Sequence, residues 1–501
     1  MSRKPLLLAG ALFCALSLSA QETWREGRNT GGLTLYEQGE AQVLLGGTFT
    51  SGGFRTPSEA SQLWGGGVQA RAETHYKDLV LTGQFSFDVK SGQEMMGSMF
   101  TNPGYYPIDV LEFTPGPKTR QTYGISGGMA WNTRSRWAPG ITLRFEGVNY
   151  SKRKDLRHTT YRQEVDIVPS LLYRGDVWRV GASAILGKTS EFVQAEQIGT
   201  ATAQTYYAFL DKGRRFGTYQ AWDGSGIHLA EPGVDRLAVN QYSLGAALQL
   251  SRGERFYGDL EYRFSPGSVG EKGYTWFRFR DHDILGKVLW NIDGKDGTHT
   301  LRLDGCWNTM VNNESVIDKV TEGGVTTPRE YGSNRIYVRY QETGGLSYAY
   351  ESRKGWNASA AFRLNKNREL GTLMYPFLEF DEGLQMEVEL QGGLPLGRFT
   401  LEGGLLFRKE LAENHYEVDS DETEEGVTSR PFRLREWWDQ EEEYNDVPLL
   451  GGFLNIRYPF TLARKYKLFA QLGCSVSYAF NVELLAGNKR QTTHITLGYC
   501  F

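Results

Sequence analysis

Residues that commonly do chemistry are sparse in this chain. It has seven histidines, His75, His158, His228, His282, His299, His415 and His494, and none forms a His-x-x-x-His pair or stands beside a Cys-x-x-Cys. No metal spacing therefore rises above chance, and no catalytic, cofactor or metal residue is assigned. Asp281-His282-Asp283 sets two carboxylates about an imidazole and could hold a cation, although a solvated polar patch explains the same tripeptide. A serine and a histidine could form a barrel lipid hydrolase at a membrane surface, because such sites are defined by geometry and not by chain order. The chain is read as a non-enzyme, with that hydrolase as the alternative.

Two stretches carry more information. Residues 412–445 hold twelve acids against Arg430, Arg433 and Arg435, with Phe432, Trp437 and Trp438 among them. An acidic run is usually a solvated loop. The adjacent Trp437 and Trp438 are costly to leave in water, so they are expected to make an extracellular loop contact. Residues 21–39 precede the first expected strand and belong either in the periplasm or in a lumen.

The elements that would position these residues are strands. Phe256, Gly258, Leu260, Tyr262 and Phe264 alternate with Tyr257, Asp259, Glu261 and Arg263. Leu301 and Leu303 alternate with Arg302 and Asp304, and Leu384, Met386, Val388 and Leu390 with Gln385, Glu387 and Glu389. Period-two alternation with one apolar and one charged face recurs through the chain and predicts strands with two environments. Eighteen such segments, within a range of 16–18, are expected near 40-50, 64-76, 79-90, 121-132, 140-152, 160-174, 177-190, 237-251, 255-265, 281-293, 297-310, 334-352, 355-365, 382-394, 398-411, 446-458, 466-480 and 490-501. Connections alternate between tight turns such as Lys77-Asp78 and Gly175-Asp176 and long links at 91-120, 191-236, 311-333 and 412-445. Strict parity of short and long links is the mark of an up-and-down transmembrane barrel with short periplasmic turns and long extracellular loops.

Composition agrees. The 501 residues include 60 glycines, about 12% against a usual ~7%, with 13% aromatics and a net charge of −4. The near-neutral charge excludes an electrostatic footprint for nucleic acid. A mean hydropathy of −0.45 is too polar for a bundle of membrane helices. Only a barrel, whose inward faces can be charged, reconciles that polarity with spanning a membrane. Residues 1–20 have the layout of a cleaved secretory signal peptide: Arg3 and Lys4, an apolar run from Leu6 to Leu16, and small residues up to Ala20. Cys306, Cys474 and Cys500 then remain, an odd set far apart that builds no disulfide framework. The expected organisation is a signal peptide at 1–20, an N-terminal segment at 21–39 and an all-β transmembrane barrel at 40–501.

The C-terminal run Ile495-Thr496-Leu497-Gly498-Tyr499-Cys500-Phe501 resembles the terminal strand of Gram-negative outer-membrane barrels. That resemblance covers nearly all of the mature chain. It implies an outer-membrane location, insertion by the barrel assembly machinery, and contact with outer-membrane lipid and lipopolysaccharide. Trp24-Arg25-Glu26-Gly27-Arg28-Asn29 and the glycine-rich aromatic strands look like an uncharacterised Bacteroidota-type barrel family, which brings no functional residue with it. The residues expected to face the lumen are Arg144, Glu146, Asp259, Glu261, Arg263, Arg302, Asp304, Arg339, Glu387, Glu389, Glu402 and Arg408. Mixed charge in a wide barrel points to a passive channel or transporter for small polar solutes. The alternative is a surface binding or accessory protein with an occluded lumen, partnered by a surface lipoprotein or transporter.

Overall fold

The computed structural model describes residues 23–500 apart from 38, 197–205, 215, 223–236, 272–273, 324, 373–376, 419–431 and 463–465. The expected signal peptide and the acids from Asp419 to Glu425 lie outside the described residues. The strands in chain order are β1 (Ala41–Gly52), β2 (Gln62–Tyr76), β3 (Leu79–Ser98), β4 (Asp109–Trp131), β5 (Trp137–Lys152), β6 (Arg157–Arg174) and β7 (Arg179–Glu196). A short hairpin follows, β8 (Tyr206–Asp211) and β9 (Gly217–Trp222). The chain continues through β10 (Leu237–Arg252), β11 (Phe256–Glu271), β12 (Tyr274–Asp293), β13 (Gly297–Glu322), β14 (Val325–Ser352) and β15 (Asn357–Thr372). It ends with β16 (Leu378–Leu396), β17 (Phe399–Val418), β18 (Leu449–Leu462), β19 (Tyr466–Ala479) and β20 (Lys489–Cys500). The helices are α1 (Thr23–Glu26), a 3-10 turn at Thr30–Leu35, and α2 (Phe432–Asp446).

Apart from the β8–β9 hairpin, the strands form an 18-stranded antiparallel barrel. Neighbours in sequence pair with one another, β7 pairs with β10 across the hairpin, and β1 pairs with β20 in the register Gly46↔Thr496 to close the wall. Closure leaves no unpaired edge, which is the condition for placing backbone in hydrocarbon. The outward face carries the apolar half of each alternation: Leu45 is 57% exposed, Leu143 53%, Leu248 58% and Leu405 56%. Exposed side chains of this kind form a band only where a bilayer replaces water. Rings at Trp137 and Tyr173, and at Tyr350 and Trp356, edge that band beside the short turns, with centroids 4.8 and 5.0 Å apart.

All eighteen expected strands are present, but several run further at the loop rim. Residues 91–120 and 311–333, expected as loops, are largely strand. β3 extends to Ser98, and β13 and β14 pair out to Glu322↔Val325. β12 leaves β13 at Glu314 and β15 meets β14 only from Tyr337, so Ser315–Arg335 rises above the rim as a two-stranded ribbon. Above the bilayer both faces meet water or protein, and the alternation that marks a strand lapses while its hydrogen bonds continue. On β4 the outward apolar band ends at Tyr123, and residues 109–117 stand beyond it.

Candidate functional site

The barrel wall encloses a lumen lined by the charged half of each alternation, and that lining is the candidate site. Arg144 and Glu146 alternate with the exposed Leu143 and Phe145, and Asp259, Glu261 and Arg263 with Leu260 and Tyr262. Arg302 and Asp304 stand opposite Leu301 and Leu303 in the same way, Arg339 opposite Tyr340, Glu387 and Glu389 opposite Leu390, and Glu402 opposite Leu405. The geometry joins most of these charges to partners the sequence reading did not name. Arg162 bridges Glu146 at 2.7 Å, and Arg263 lies 3.5 Å from Glu261 and 3.9 Å from Asp166. Arg144 faces Asp166 across the β5–β6 ladder. Arg302 bridges Asp304 at 3.1 Å, Arg363 bridges Glu387 at 2.9 Å, and Gln391 donates to Glu389. Arg408 donates to the Tyr444 carbonyl at 2.7 Å, and the Tyr257 hydroxyl lies 3.4 Å from Asp259. Glu402 is paired in register with Asn455. Arg162, Asp166 and Arg363 sit on the same alternation as their partners, so extending the period through 160–174 and 355–365 finds them.

The N-terminal segment occupies this lumen. Trp24 is 2% exposed, donates from its indole nitrogen to Ser251 Oγ at 3.1 Å, and packs edge-on against Tyr257. Ala138, Leu172 and Leu289 complete that apolar contact near the short-turn rim. Arg28 bridges Glu261 at 2.9 Å, the Asn29 amide donates to the Leu171 carbonyl at 3.0 Å, and Thr30 and Thr142 share a hydroxyl hydrogen bond. Gly181 permits the approach: a Cβ there would fall 2.5 Å from Asn29 Nδ2 and 2.8 Å from Trp24. Of the two expected places for residues 21–39, residues 24–36 take the lumen. The partners of Trp24, Arg28, Asn29 and Thr30 named above lie more than a hundred residues away, and no local pattern marks them.

The loop rim is closed by a second body of protein. The β3–β4 connection turns inward, and Met99, Phe100, Tyr106 and Ile108 pack on inward residues of β7, β10, β11, β12 and β14 in a core of seventeen buried side chains. Arg339 of β14 is 1% exposed and donates to the Gly104 carbonyl at 2.8 Å, tying that loop to the far wall. β8 adds to the top of β4, pairing Asp109↔Asp211 through Glu112↔Ala208. Beneath it Glu112 sits between Lys118 and Lys152 with all three side chains fully buried; the two amines share its one carboxylate, and Lys118 also donates to the Ser98 carbonyl at 3.1 Å and Lys152 to Thr114 Oγ1 at 2.7 Å, so that the buried charge is met by hydrogen bonds. Asp109, above the apolar band, accepts from Ser98 Oγ at 2.7 Å, and burial pushes its carboxyl up to about 8.

Helix α2 covers the remaining mouth. Trp437 and Trp438 pack with Leu111, Phe209, Met96 and Phe113 and are 5% and 3% exposed. The expected extracellular contact of this pair is thus made with the chain itself, because burying two indoles against the mouth outweighs presenting them to water. Glu443 accepts from the backbone of Glu483, Leu484 and Leu485, and Tyr444 stacks on Phe54 at 4.6 Å.

The chemical alternatives separate in space. Asp281 and Asp283 share the Asn308 amide at 2.5 and 2.8 Å, whereas His282 points the other way to the Tyr262 hydroxyl at 2.9 Å. Successive strand residues face opposite sides of the wall, so this tripeptide cannot close on one ion. Gly124-Ile125-Ser126-Gly127-Gly128 has the Gly-x-Ser-x-Gly spacing of a nucleophile elbow but lies mid-strand in β4, with no turn to helix to expose the hydroxyl. No group of three His, Cys, Asp or Glu able to hold a metal is found among the described residues.

Fold and site together define a closed antiparallel barrel of the membrane-spanning type, with part of its lumen occupied by its own chain. Residues 32–501 match the family of unknown function DUF6850, and the chain belongs to that family. No curated protein matches it in sequence. Among solved structures it is similar to the siderophore receptor PiuA from Acinetobacter baumannii, at 8% identity and a TM-score of 0.40, covering 93% of this chain and 82% of that one. A FadL homologue from Pseudomonas aeruginosa matches at 9% identity and a TM-score of 0.32, covering 94% and 92%. OccAB1 from Acinetobacter baumannii matches at 10% identity and a TM-score of 0.36, covering 93% and 97%.

Proposed function

We propose that the protein is an outer-membrane barrel, closed at rest, that acts through binding at its loop rim as a surface or accessory component. The loop rim is then extracellular and the short-turn rim periplasmic. One observation carries the closed state: seventeen buried side chains form an apolar core inside the mouth. A passive channel for small polar solutes would keep that space wet. Each buried aliphatic or aromatic side chain contributes roughly 1.5–3 kcal/mol, so the core does not open by thermal fluctuation alone. A surface lipoprotein or transporter at the rim, lipopolysaccharide and lipid around the wall, and the barrel assembly machinery during insertion are the expected partners.

Passage of small polar solutes is the second reading, supported by the charges Arg302, Asp304, Arg363, Glu387 and Glu389, which line a pocket of about 120 Å³. Planar-bilayer conductance separates the two. The closed reading expects no steady conductance from the purified barrel, and opening when residues 99–108 are replaced by a short glycine linker. Steady conductance from the unaltered protein sinks it and restores passage.

A further inference from the structure

On the outward wall, at the short-turn rim, a groove of about 660 Å³ interrupts the aromatic edge of the apolar band. Its floor is Gly392 and Gly403, which face each other across the β16–β17 ladder, and its walls are Trp356, Leu394, Leu401 and Leu454. Packing leaves Gly392 free, since a Cβ there would approach nothing closer than the Asn357 carbonyl at 3.6 Å, and is tighter at Gly403, where a Cβ would fall 3.3 Å from the Phe453 carbonyl. Other facing glycines leave gaps in the outward band as well, at Gly47–Gly66, Gly83–Gly127 and Gly305–Gly344, and the Gly392–Gly403 pair opens into the groove beside Trp356. Rings stand on either side, Trp356 beside Tyr350 and Phe399 beside Tyr458, each pair with centroids 5.0 Å apart.

The mouth of the groove is cationic. The turns at 353–356 and 397–398 abut, a Cβ on Gly355 falling 3.6 Å from Pro395, and they carry Lys354 and Arg398 with no acid from 353 to 357 or from 394 to 399, while Arg353 donates to the Gly294 carbonyl of the turn on the other side at 3.2 Å. Of the other turns on this rim, those at 175–178, 253–255 and 294–296 include an acid, Asp176, Glu254 and Asp296, whereas 132–136 and 463–465 carry cations without one. Lys354 and Arg398 are exposed, and neither is bridged to a carboxylate among the described residues.

We propose that this groove binds one anionic phospholipid of the periplasmic leaflet, its acyl chain over Gly392 and Gly403 and its phosphate at Lys354 and Arg398; this rests on the membrane-barrel reading above. Apolar floor and cationic rim are matched to the two parts of that molecule, whereas a soluble anion would use only the rim. Native mass spectrometry of the detergent-solubilised barrel, titrated with phosphatidylglycerol or with phosphatidylcholine of the same chains, tests it. Phosphatidylglycerol is expected to be retained roughly fivefold better per participating cation, the size of a Lys or Arg contribution at a lipid surface. The double variant Gly392→Leu/Gly403→Leu fills the floor with residues compatible with a lipid-facing strand and should lose retention of both lipids. Lys354→Glu/Arg398→Glu should abolish only the preference. Equal retention of the two lipids by the unaltered protein, or unchanged retention in the leucine variant, overturns the proposal. A protein dimer that disappears in the leucine variant assigns the groove to a second copy and also overturns it. Gel mobility before and after boiling is read on the same samples: absence of a heat-dependent shift in the unaltered protein defeats the membrane-barrel reading itself, an outcome distinct from a folded barrel that ignores lipid.

Discussion

The lumen wall is two different surfaces. From β5 to β7 and β10 to β12 it is covered by the N-terminal segment below and the β3–β4 loop above, and it presents Ala138, Leu172, Gly181 and Val239 to them. From β13 to β17 it keeps Arg302 and Asp304, and Arg363 and Glu387, paired along the wall, with all but Glu387 partly exposed. The first surface behaves like a protein core, in which close approach and matched hydrogen bonds decide stability. The second behaves like a solvated face, where ion pairs contribute little each. The barrel is thus half core and half vestibule, and mutations should read out differently on its two sides.

The largest effect is expected on the packed side. Trp24→Ala removes a buried indole and its hydrogen bond to Ser251, and should weaken docking of the N-terminal segment by about 3–5 kcal/mol. Limited trypsin digestion of the folded barrel reports it: cleavage after Arg25 or Arg28 should be slow in the unaltered protein and fast in the variant. Persistent protection in the variant would mean that the polar contacts of Arg28 and Asn29 hold the segment unaided.

Arg339→Ala sits at the border of the two surfaces. It leaves the Gly104 carbonyl without its donor, at a cost of about 1–3 kcal/mol, and should turn a silent barrel into one with brief openings in bilayer recordings. By contrast, Arg302→Glu should leave closure unchanged and, in a barrel opened by loop deletion, shift preference toward cations. If both variants alter only selectivity, the loop is not tied down through Arg339.

Asp109 makes the packed mouth sensitive to pH. Its carboxyl is raised to about 8 by burial, against an ordinary value of about 4, so the docked loop favours the neutral form. That contribution is whole below about pH 4 and is lost as pH rises through about 8. Protection of the amides of residues 99–108, taken as exchange relative to the intrinsic rate at each pH, should therefore fall between these limits, and Asp109→Asn should flatten the profile. A dependence of the opposite sign would mean that the ionised carboxylate is the docked form.

On the solvated side, Arg363→Ala should change thermal stability by only about 0–1 kcal/mol, since Arg363 is 42% exposed and its bond to Glu387 competes with water. A much larger loss would move β15 and β16 into the class of packed wall.

What was legible in the sequence is what the bilayer imposes. Leu301 and Leu303 face lipid, Arg302 and Asp304 do not, and a period of two records that difference residue by residue, so all eighteen strands and their turns follow from local pattern. Where no bilayer acts the pattern thins, and the strand extensions at 91–98, 109–120 and 311–333 read as loops. The contents of the lumen were decided by tertiary structure alone. Arg28 meets Glu261, Arg339 meets Gly104, and Trp438 meets Phe209, each pair more than two hundred residues apart. Such contacts arise because an 18-stranded wall encloses more space than its own side chains fill, and whichever segment best matches its apolar and charged patches is drawn into it.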